Sequence, residues 1–152
     1  MNTVEFYRCE VCGNMVALIK KGGGTLVCCG QNMTKLEANT TDAATEKHVP
    51  DVKREDGKIK VTVGAVAHPM QKEHYIEWIA LANGDKVEVH YLTPGAAPST
   101  MFNDAASGSV YAYCNLHGLW KTDLDTIVAG RIDGENVAEI CSPEFAEGCV
   151  SY

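Results

Sequence analysis

The chain has 152 residues, of which 45% are hydrophobic, and its formal net charge is −7. This length fits one ordinary domain, or a small unit joined to a larger one, with enough apolar content for a packed core. The acidic balance argues against a nucleic-acid or anionic-membrane partner, and no apolar run is long enough to span a bilayer. The first residues lack the basic-then-apolar pattern of a secretory signal. We therefore expect a cytoplasmic protein whose seven cysteines serve as metal ligands rather than as disulfides.

Residues 1–37 form a small unit that needs a metal to fold, because so short a segment cannot bury enough apolar surface. Its cysteines come in two close pairs, Cys9 with Cys12 and Cys28 with Cys29. Gly13 and Gly30 follow the pairs and fit tight turns with positive φ, which bring backbone N–H groups near sulfur. The apolar run from Met15 to Ile19 and the turn Gly22 to Gly24 predict a hairpin. Four thiolates suit tetrahedral zinc or a single iron, and spacing alone leaves both open.

The next segment, 38–121, is predicted to be an antiparallel β-sandwich. A polar linker or loop runs from Glu37 to Lys47. Period-two alternation then predicts strands, with Ile76, Trp78, Ala80 and Ala82 on one face of their strand. The predicted strands are 59–65, 76–82, 87–91 and 109–113. Asn83-Gly84 predicts a hairpin turn, and the segment rich in Ala, Pro, Ser and Gly from Pro94 to Gly108 predicts a long loop. Several short strands without a convincing amphipathic helix indicate a sandwich.

A second set of metal donors lies in this larger segment. Cys114 and His117 form a compact two-ligand corner, and three more histidines precede it: His48, His68 and His74. A C-x-x-H pair is most often half of a four-ligand zinc site. Four imidazoles and a thiolate make five donors, however, which suits a redox metal that prefers six positions and keeps one open. His90 follows Lys86 and Glu88 on the polar face of its strand, so we expect a solvated histidine outside the site.

These motifs resemble those of the desulfoferrodoxin family. Residues 1–37 are similar to desulforedoxin, with the four cysteines at matching positions. The larger segment carries Glu46-Lys47-His48-Val49-Pro50, His68-Pro69-Met70, His74 and Cys114-Asn115-Leu116-His117-Gly118-Leu119-Trp120, which resemble the superoxide reductase domain. The resemblance covers about four fifths of the chain.

The resemblance implies properties that spacing does not give. It implies iron at both sites, with the four histidines equatorial and Cys114 axial in the second, and an immunoglobulin-like sandwich in a homodimer. The activity would be one-electron reduction of superoxide to hydrogen peroxide, with rubredoxin or a similar small carrier as the electron donor. Glu46 would ligate the oxidised iron at rest. Because the acidic chain repels an anion, Lys47 would attract superoxide to the open position.

Three other functions remain open from the sequence: a non-enzymatic electron carrier, a zinc-stapled binding module, and a superoxide dismutase. The family resemblance also ends before residues 122–152, a C-terminal extension of unknown role. Its residues 126–132 and 136–140 predict a hairpin. Cys141 and Cys149 lie in this extension, and their spacing is not typical of a metal site.

Overall fold

The computed structural model describes residues 4–84 and 86–126. This part of the chain is mostly β, and its strands pair antiparallel, as predicted. Residues 127–140 of the predicted hairpin, Cys141 and Cys149 lie outside the described residues. Among the described residues, no helix is both long and apolar enough to cross a membrane.

Five short strands build the N-terminal unit. They are β1 (Glu5–Arg8), β2 (Met15–Leu18), β3 (Val27–Cys28), β4 (Gln31–Asn32) and β5 (Thr34–Lys35). The prediction of a hairpin across Gly22 to Gly24 is wrong, because β2 pairs with β1 across the turn that starts at Cys9. Gly13 closes that turn at a φ of +84°, which glycine adopts without steric cost. Cys9 and Cys12 therefore lie in the turn of the hairpin that β1 and β2 form.

Seven strands form two facing sheets after the four-residue helix α1 (Thr45–His48). They are β6 (Pro50–Glu55), β7 (Lys58–Val63), β8 (Ile76–Ala82), β9 (Val87–Tyr91), β10 (Ser99–Asn103), β11 (Ser109–Cys114) and β12 (Gly118–Asp123). One sheet has the order β10-β7-β6 and the other β12-β11-β8-β9. The predicted immunoglobulin-like sandwich is thus confirmed, and a short 3-10 turn, Leu124–Thr126, follows β12.

The core between the sheets follows from period-two alternation. Ile59, Val61 and Val63 of β7 are each fully buried, as the alternation predicts. Ala65 is exposed, because β7 ends at Val63 and the chain turns there into the loop that carries two of the histidines. Leu124, just beyond β12, also belongs to this core.

A β-bulge changes the direction of one side chain in β8. The prediction that Ile76 shares a face with Trp78 is wrong: Ile76 lies in the core between the sheets, whereas Trp78 lies on the outer face. The register with β11 shifts at this point, so that Tyr113 pairs with Trp78 and Cys114 with Ile76. The extra residue, Glu77, inverts the alternation that periodicity alone predicts.

The N-terminal unit covers the outer face of the four-stranded sheet. Phe6 of β1 is buried against Trp78 and Tyr111, with ring centroids 5.0 and 5.1 Å away. These rings belong to a second apolar cluster that combines residues of both segments. The two central strands of this sheet, β8 and β11, are therefore mostly buried on both faces.

The long loop predicted from Pro94 to Gly108 is interrupted by β10, which pairs with β7. Phe102 in β10 is only 2% exposed, and its burial outweighs the turn-rich composition around it.

This strand also corrects the prediction that His90 is a solvated histidine. The imidazole of His90 is half-buried, stacks on Phe102 at 4.3 Å and hydrogen-bonds to Thr100 and Glu88.

Candidate metal centres

The first centre consists of the four cysteines of the N-terminal unit. The sulfur atoms of Cys9, Cys12, Cys28 and Cys29 all lie within 4.8 Å of one another. Cys12 and Cys28 are 3.6 Å apart, and the adjacent Cys28 and Cys29 are 4.0 Å apart. Such a cluster can surround one tetrahedral metal.

The backbone around these cysteines is arranged to hold thiolates. The backbone N–H groups of Val11 and Cys12 donate to the Cys9 sulfur at 3.4 and 3.5 Å. The backbone N–H of Asn14 donates to the Cys12 sulfur at 3.4 Å. The Cys12 amide is the main cause that lowers the pKa of Cys9 to about 6. Gly30 has a φ of +73°. The predicted close approach of N–H groups to sulfur is confirmed at the first pair, and the positive φ at both glycines.

The second centre forms where four separate parts of the sandwich meet. His48 ends α1, His68 and His74 lie in the loop between β7 and β8, and Cys114 ends β11. Their donor atoms all lie within 4.8 Å of one another. The Nδ1 atom of His117, in the turn before β12, is 3.1 Å from Nε2 of His48 and 3.9 Å from the Cys114 sulfur. All five donors predicted from the sequence therefore come together.

The histidine tautomers show that this centre fits a cation. The Nδ1 atoms of His48 and His68 each lie 2.7 Å from a backbone carbonyl oxygen, so both must donate a proton there. In the neutral rings, the Nε2 atoms of both histidines then carry lone pairs and no proton. These two atoms are only 3.1 Å apart, so neither can donate a hydrogen bond to the other. The buried Nε2 of His74 has no hydrogen-bond partner among the described residues. A metal ion between these atoms satisfies all of them.

The thiol of Cys114 lies at the buried side of the centre. It is fully buried, and burial raises its pKa, while the amides of Leu116 and His117 act in the opposite direction. A bound cation would hold it as the thiolate. His74 and His117 are partly exposed. Solvent therefore reaches the centre from the side of these two histidines.

Glu46 and Lys47 are exposed residues of α1, directly before His48. Burial is the main cause that lowers the pKa of His48 and of His74, and the Lys47 ammonium contributes to both. The Glu46 carboxylate acts on His48 in the opposite direction. Both charges therefore act on ligands of the second centre.

Two supporting side chains were not assigned from the sequence. Trp120 stacks on His48, and Asn115 hydrogen-bonds to the chain on both sides of His74. Both residues belong to the segment that carries the Cys114–His117 corner. Their contacts depend on the packing of distant segments, which spacing does not reveal.

Comparison with known proteins identifies the family. The desulfoferrodoxin model matches residues 40–123, and the model of the desulfoferrodoxin N-terminal domain matches residues 1–36. The chain belongs to the desulfoferrodoxin family. It is 50% identical to a desulfoferrodoxin from Desulfarculus baarsii over 121 residues, which cover 79% of this chain and 96% of that protein.

Two further relatives match a short part and most of the chain, respectively. A desulforedoxin from Megalodesulfovibrio gigas is 53% identical over 34 residues, covering 22% of this chain and 92% of its own. The crystal structure of the superoxide reductase from Treponema pallidum aligns with a TM-score of 0.63 and 32% identity. That alignment covers 78% of this chain and 98% of the other. Together with the two donor sets, the family identifies the cofactor as iron at both centres, as predicted.

Proposed function

We propose that this chain is a superoxide reductase, which converts superoxide, one electron and two protons into hydrogen peroxide without releasing oxygen. The convergence of four imidazoles and the buried Cys114 thiol beside the exposed helix α1 carries this proposal. The similarity to the superoxide reductase from Treponema pallidum supports it.

Each donor has a role in this reaction. Iron held by the five donors would supply the electron that superoxide takes up. His48, His68, His74 and His117 would hold the iron as neutral imidazoles, which would favour its ferrous state. Cys114 would hold the iron as a thiolate, which would donate electron density to the metal. The partly exposed side of the centre gives water access, so that protons are available.

Lys47 attracts the substrate. The chain carries a net charge of −7, and this charge repels an anion such as superoxide. Within the described residues the Lys47 ammonium forms no ion pair, and its field reaches two of the ligating histidines. A cation at this place concentrates superoxide at the open side of the centre.

Glu46 closes the centre between turnovers. Its carboxylate is exposed at the end of a loop, in a helix of only four residues, so it can move toward the iron and away from it. Replacement of Glu46 by alanine is expected to change the visible spectrum of the oxidised protein. An unchanged spectrum would remove this role.

The electron donor is rubredoxin or a similar small carrier protein, which docks at the first centre. Cys12 and Cys29 are exposed there, and Val11 and Val27 are 58% and 59% exposed. The variants Val11→Asp and Val27→Asp are each expected to slow the reduction of the first centre by reduced rubredoxin, as measured in stopped-flow experiments. Equal rates for both variants and the wild type would place the docking surface elsewhere.

The protein assembles as a homodimer. Strands β2 and β9 are sheet edges, and Tyr91 at the end of β9 is 81% exposed. Exposed strand edges with apolar side chains favour association of chains. Sedimentation velocity is expected to give twice the chain mass, and a monomer at micromolar concentration would contradict this.

The cytoplasm is the compartment in which the protein works. Its described cysteines are metal ligands, which must stay reduced. Thiol trapping in fractionated cells of the source organism is expected to recover the protein, with reduced cysteines, in the cytoplasmic fraction. Recovery from an oxidising compartment would contradict this.

One pair of proteins tests the function. Wild-type protein, after metal analysis, is reduced and mixed with superoxide, and the oxidation of the second centre is followed by its absorption. Cys114→Ser is expected to lose this reaction while the absorption of the first centre stays unchanged, which controls for folding. Zinc at both sites would favour a binding module, and full activity of Cys114→Ser would favour an electron carrier based on the first centre.

A further inference from the structure

The histidines of the second centre differ in how their rings are held. The Nδ1 atom of His48 donates to the carbonyl of Ala44, and that of His68 donates to the carbonyl of Pro69, each at 2.7 Å. These bonds fix the orientation of both rings. No described residue accepts a hydrogen bond from the ring of His74, whose Nε2 is nevertheless buried and without a partner. Its position must come from the backbone.

The backbone of His74 is held by Asn115. The amide of Tyr75 donates to Oδ1 of Asn115 at 3.0 Å, and Nδ2 of Asn115 donates to the carbonyl of Glu73 at 3.0 Å. One side chain therefore binds the residues immediately before and after His74. The backbone N–H of Asn115 also donates to the backbone carbonyl of Tyr75 at 3.2 Å.

The same residue connects the loop to the other donors. The peptide groups of His74 pair with those of Gln71 at 3.0 Å in both directions, which closes a tight loop of four residues. Asn115 follows Cys114 directly in the chain. The hydrogen bonds of its side chain thus tie this closed loop to the corner that supplies the thiol.

We propose that Asn115 is the positioning residue for His74: its side-chain amide sets where this imidazole stands in the centre. It takes the place of the carbonyls that orient His48 and His68. The inference rests on the proposed function in that it treats the five donors as a metal site. It does not depend on which reaction that metal performs.

Metal affinity is the main readout, since groups that orient a ligand typically change affinity by 10- to 100-fold. The full-length protein is titrated with Co²⁺ against a competing chelator. The two centres are followed separately, because four thiolates and one thiolate give different charge-transfer absorption. Asn115→Ala is expected to lower the Co²⁺ affinity of the second centre by about 10- to 100-fold and to change its absorption. The first centre is expected to bind as in the wild type.

Asn39 provides a matched control. Its side chain also forms two hydrogen bonds to the backbone, with the amide and the carbonyl of Lys121 at 2.9 and 3.3 Å. It flanks no ligand. Asn39→Ala is expected to leave the Co²⁺ affinity and the absorption of the second centre unchanged. An equal loss in Asn39→Ala and Asn115→Ala would overturn the inference.

A double-mutant cycle separates a positioning role from a general structural one. If Asn115 acts through His74, then Asn115→Ala has no further effect on Co²⁺ affinity in a His74→Ala background. The same loss in both backgrounds would show that Asn115 acts elsewhere. Wild-type affinity in Asn115→Ala would also overturn the inference.

Two measurements protect the test against poor folding of Asn115→Ala. Asn115→Gln keeps the amide but lengthens the side chain, so it is expected to show the same selective loss at the second centre. In the metal-free wild type, the Tyr75 amide is expected to exchange slowly with solvent. Exchange at the rate of an unprotected amide would overturn the inference. If the Tyr75 amide exchanges slowly without Co²⁺ but the wild-type protein does not reduce superoxide, the result contradicts only the proposed function and not the inference about Asn115.

Discussion

Trp120 connects two ligands of the second centre that lie 69 residues apart in the chain. Its indole stacks on the imidazole of His48, with ring centroids 4.9 Å apart and planes inclined by 28°. Its Nε1 donates to the carbonyl of His117 at 3.1 Å. At 2% exposure, Trp120 forms one wall of the centre.

Replacing Trp120 tests this wall. Trp120→Phe keeps an aromatic ring but leaves the His117 carbonyl without its donor, which is expected to cost about 1 kcal/mol of unfolding free energy. Trp120→Ala also opens a cavity and is expected to cost about 3–5 kcal/mol. Urea unfolding and Co²⁺ affinity are the measurements. Trp78→Phe, in the apolar cluster between the N-terminal unit and the sheet, is the control and is expected to leave the Co²⁺ affinity unchanged. Wild-type affinity in Trp120→Ala would show that the indole does not support His48.

Gly64 is expected to be essential for the position of α1. A Cβ atom at this residue would lie 2.7 Å from the Glu46 carbonyl oxygen and 2.9 Å from that of Val49. Gly64→Ala therefore pushes on the helix that carries Lys47 and His48. We expect a loss of about 1–3 kcal/mol in unfolding free energy and slower oxidation of the reduced second centre by superoxide.

Gly22 gives the control for Gly64. No atom lies within 4 Å of a Cβ built on Gly22, and its φ is not in the left-handed region. Gly22→Ala is expected to be neutral, or to stabilise the protein by about 0.4–1 kcal/mol through the unfolded state. If the two variants have the same urea midpoint, the close approach at Gly64 has no energetic weight.

Lys47→Ala is expected to slow the reaction with superoxide about tenfold at low ionic strength, because the attraction at the open side is lost. The rate for the wild type should fall as salt screens the charge, whereas the rate for the variant should change less. Stopped-flow measurement over a range of salt concentrations tests both. Lys20→Ala, which changes the net charge equally in the N-terminal unit, is the control. Identical rates for the two variants would remove the role of Lys47.

Glu77 makes stability depend on pH. Burial raises its pKa above the ordinary value of 4.5, with Arg8 acting partly against this. The folded protein therefore binds this proton more tightly than the unfolded chain does. The stabilising contribution is fully present below the ordinary pKa and is lost as the pH rises through the raised value.

Glu77→Gln carries no charge at any pH and avoids this loss. Its unfolding free energy relative to the wild type is expected to increase from pH 4 to pH 8, as measured by urea unfolding of both proteins side by side. A constant or decreasing difference would contradict a raised pKa for Glu77.

The donor sets could be predicted from the sequence because their members are few, chemically distinct and spaced in recognisable motifs. Cys9 and Cys12 share one turn, and Cys114 and His117 share another, so local geometry already brings each pair together. The alternation of Ile59, Val61 and Val63 likewise predicts a half-buried strand, since side chains of a strand point to opposite faces.

Other features depend on contacts between distant segments and were not predicted. The bulge at Glu77 reverses Ile76 without any local signal, and β10 forms in a segment of turn-like composition because Phe102 finds a place in the core. The half-buried state of His90 follows from that same strand. The hydrogen bonds of Asn115 join residues about 40 positions apart, so no pattern along the sequence could reveal them.

The products formed from superoxide test the central claim most directly. Reduced protein, supplied with a continuous electron donor, is mixed with a known amount of superoxide, and hydrogen peroxide and oxygen are measured together. A superoxide reductase yields one peroxide for each superoxide consumed and no oxygen, and this is the result that we expect. Oxygen released in an amount equal to the peroxide would identify a dismutase and contradict the proposed function.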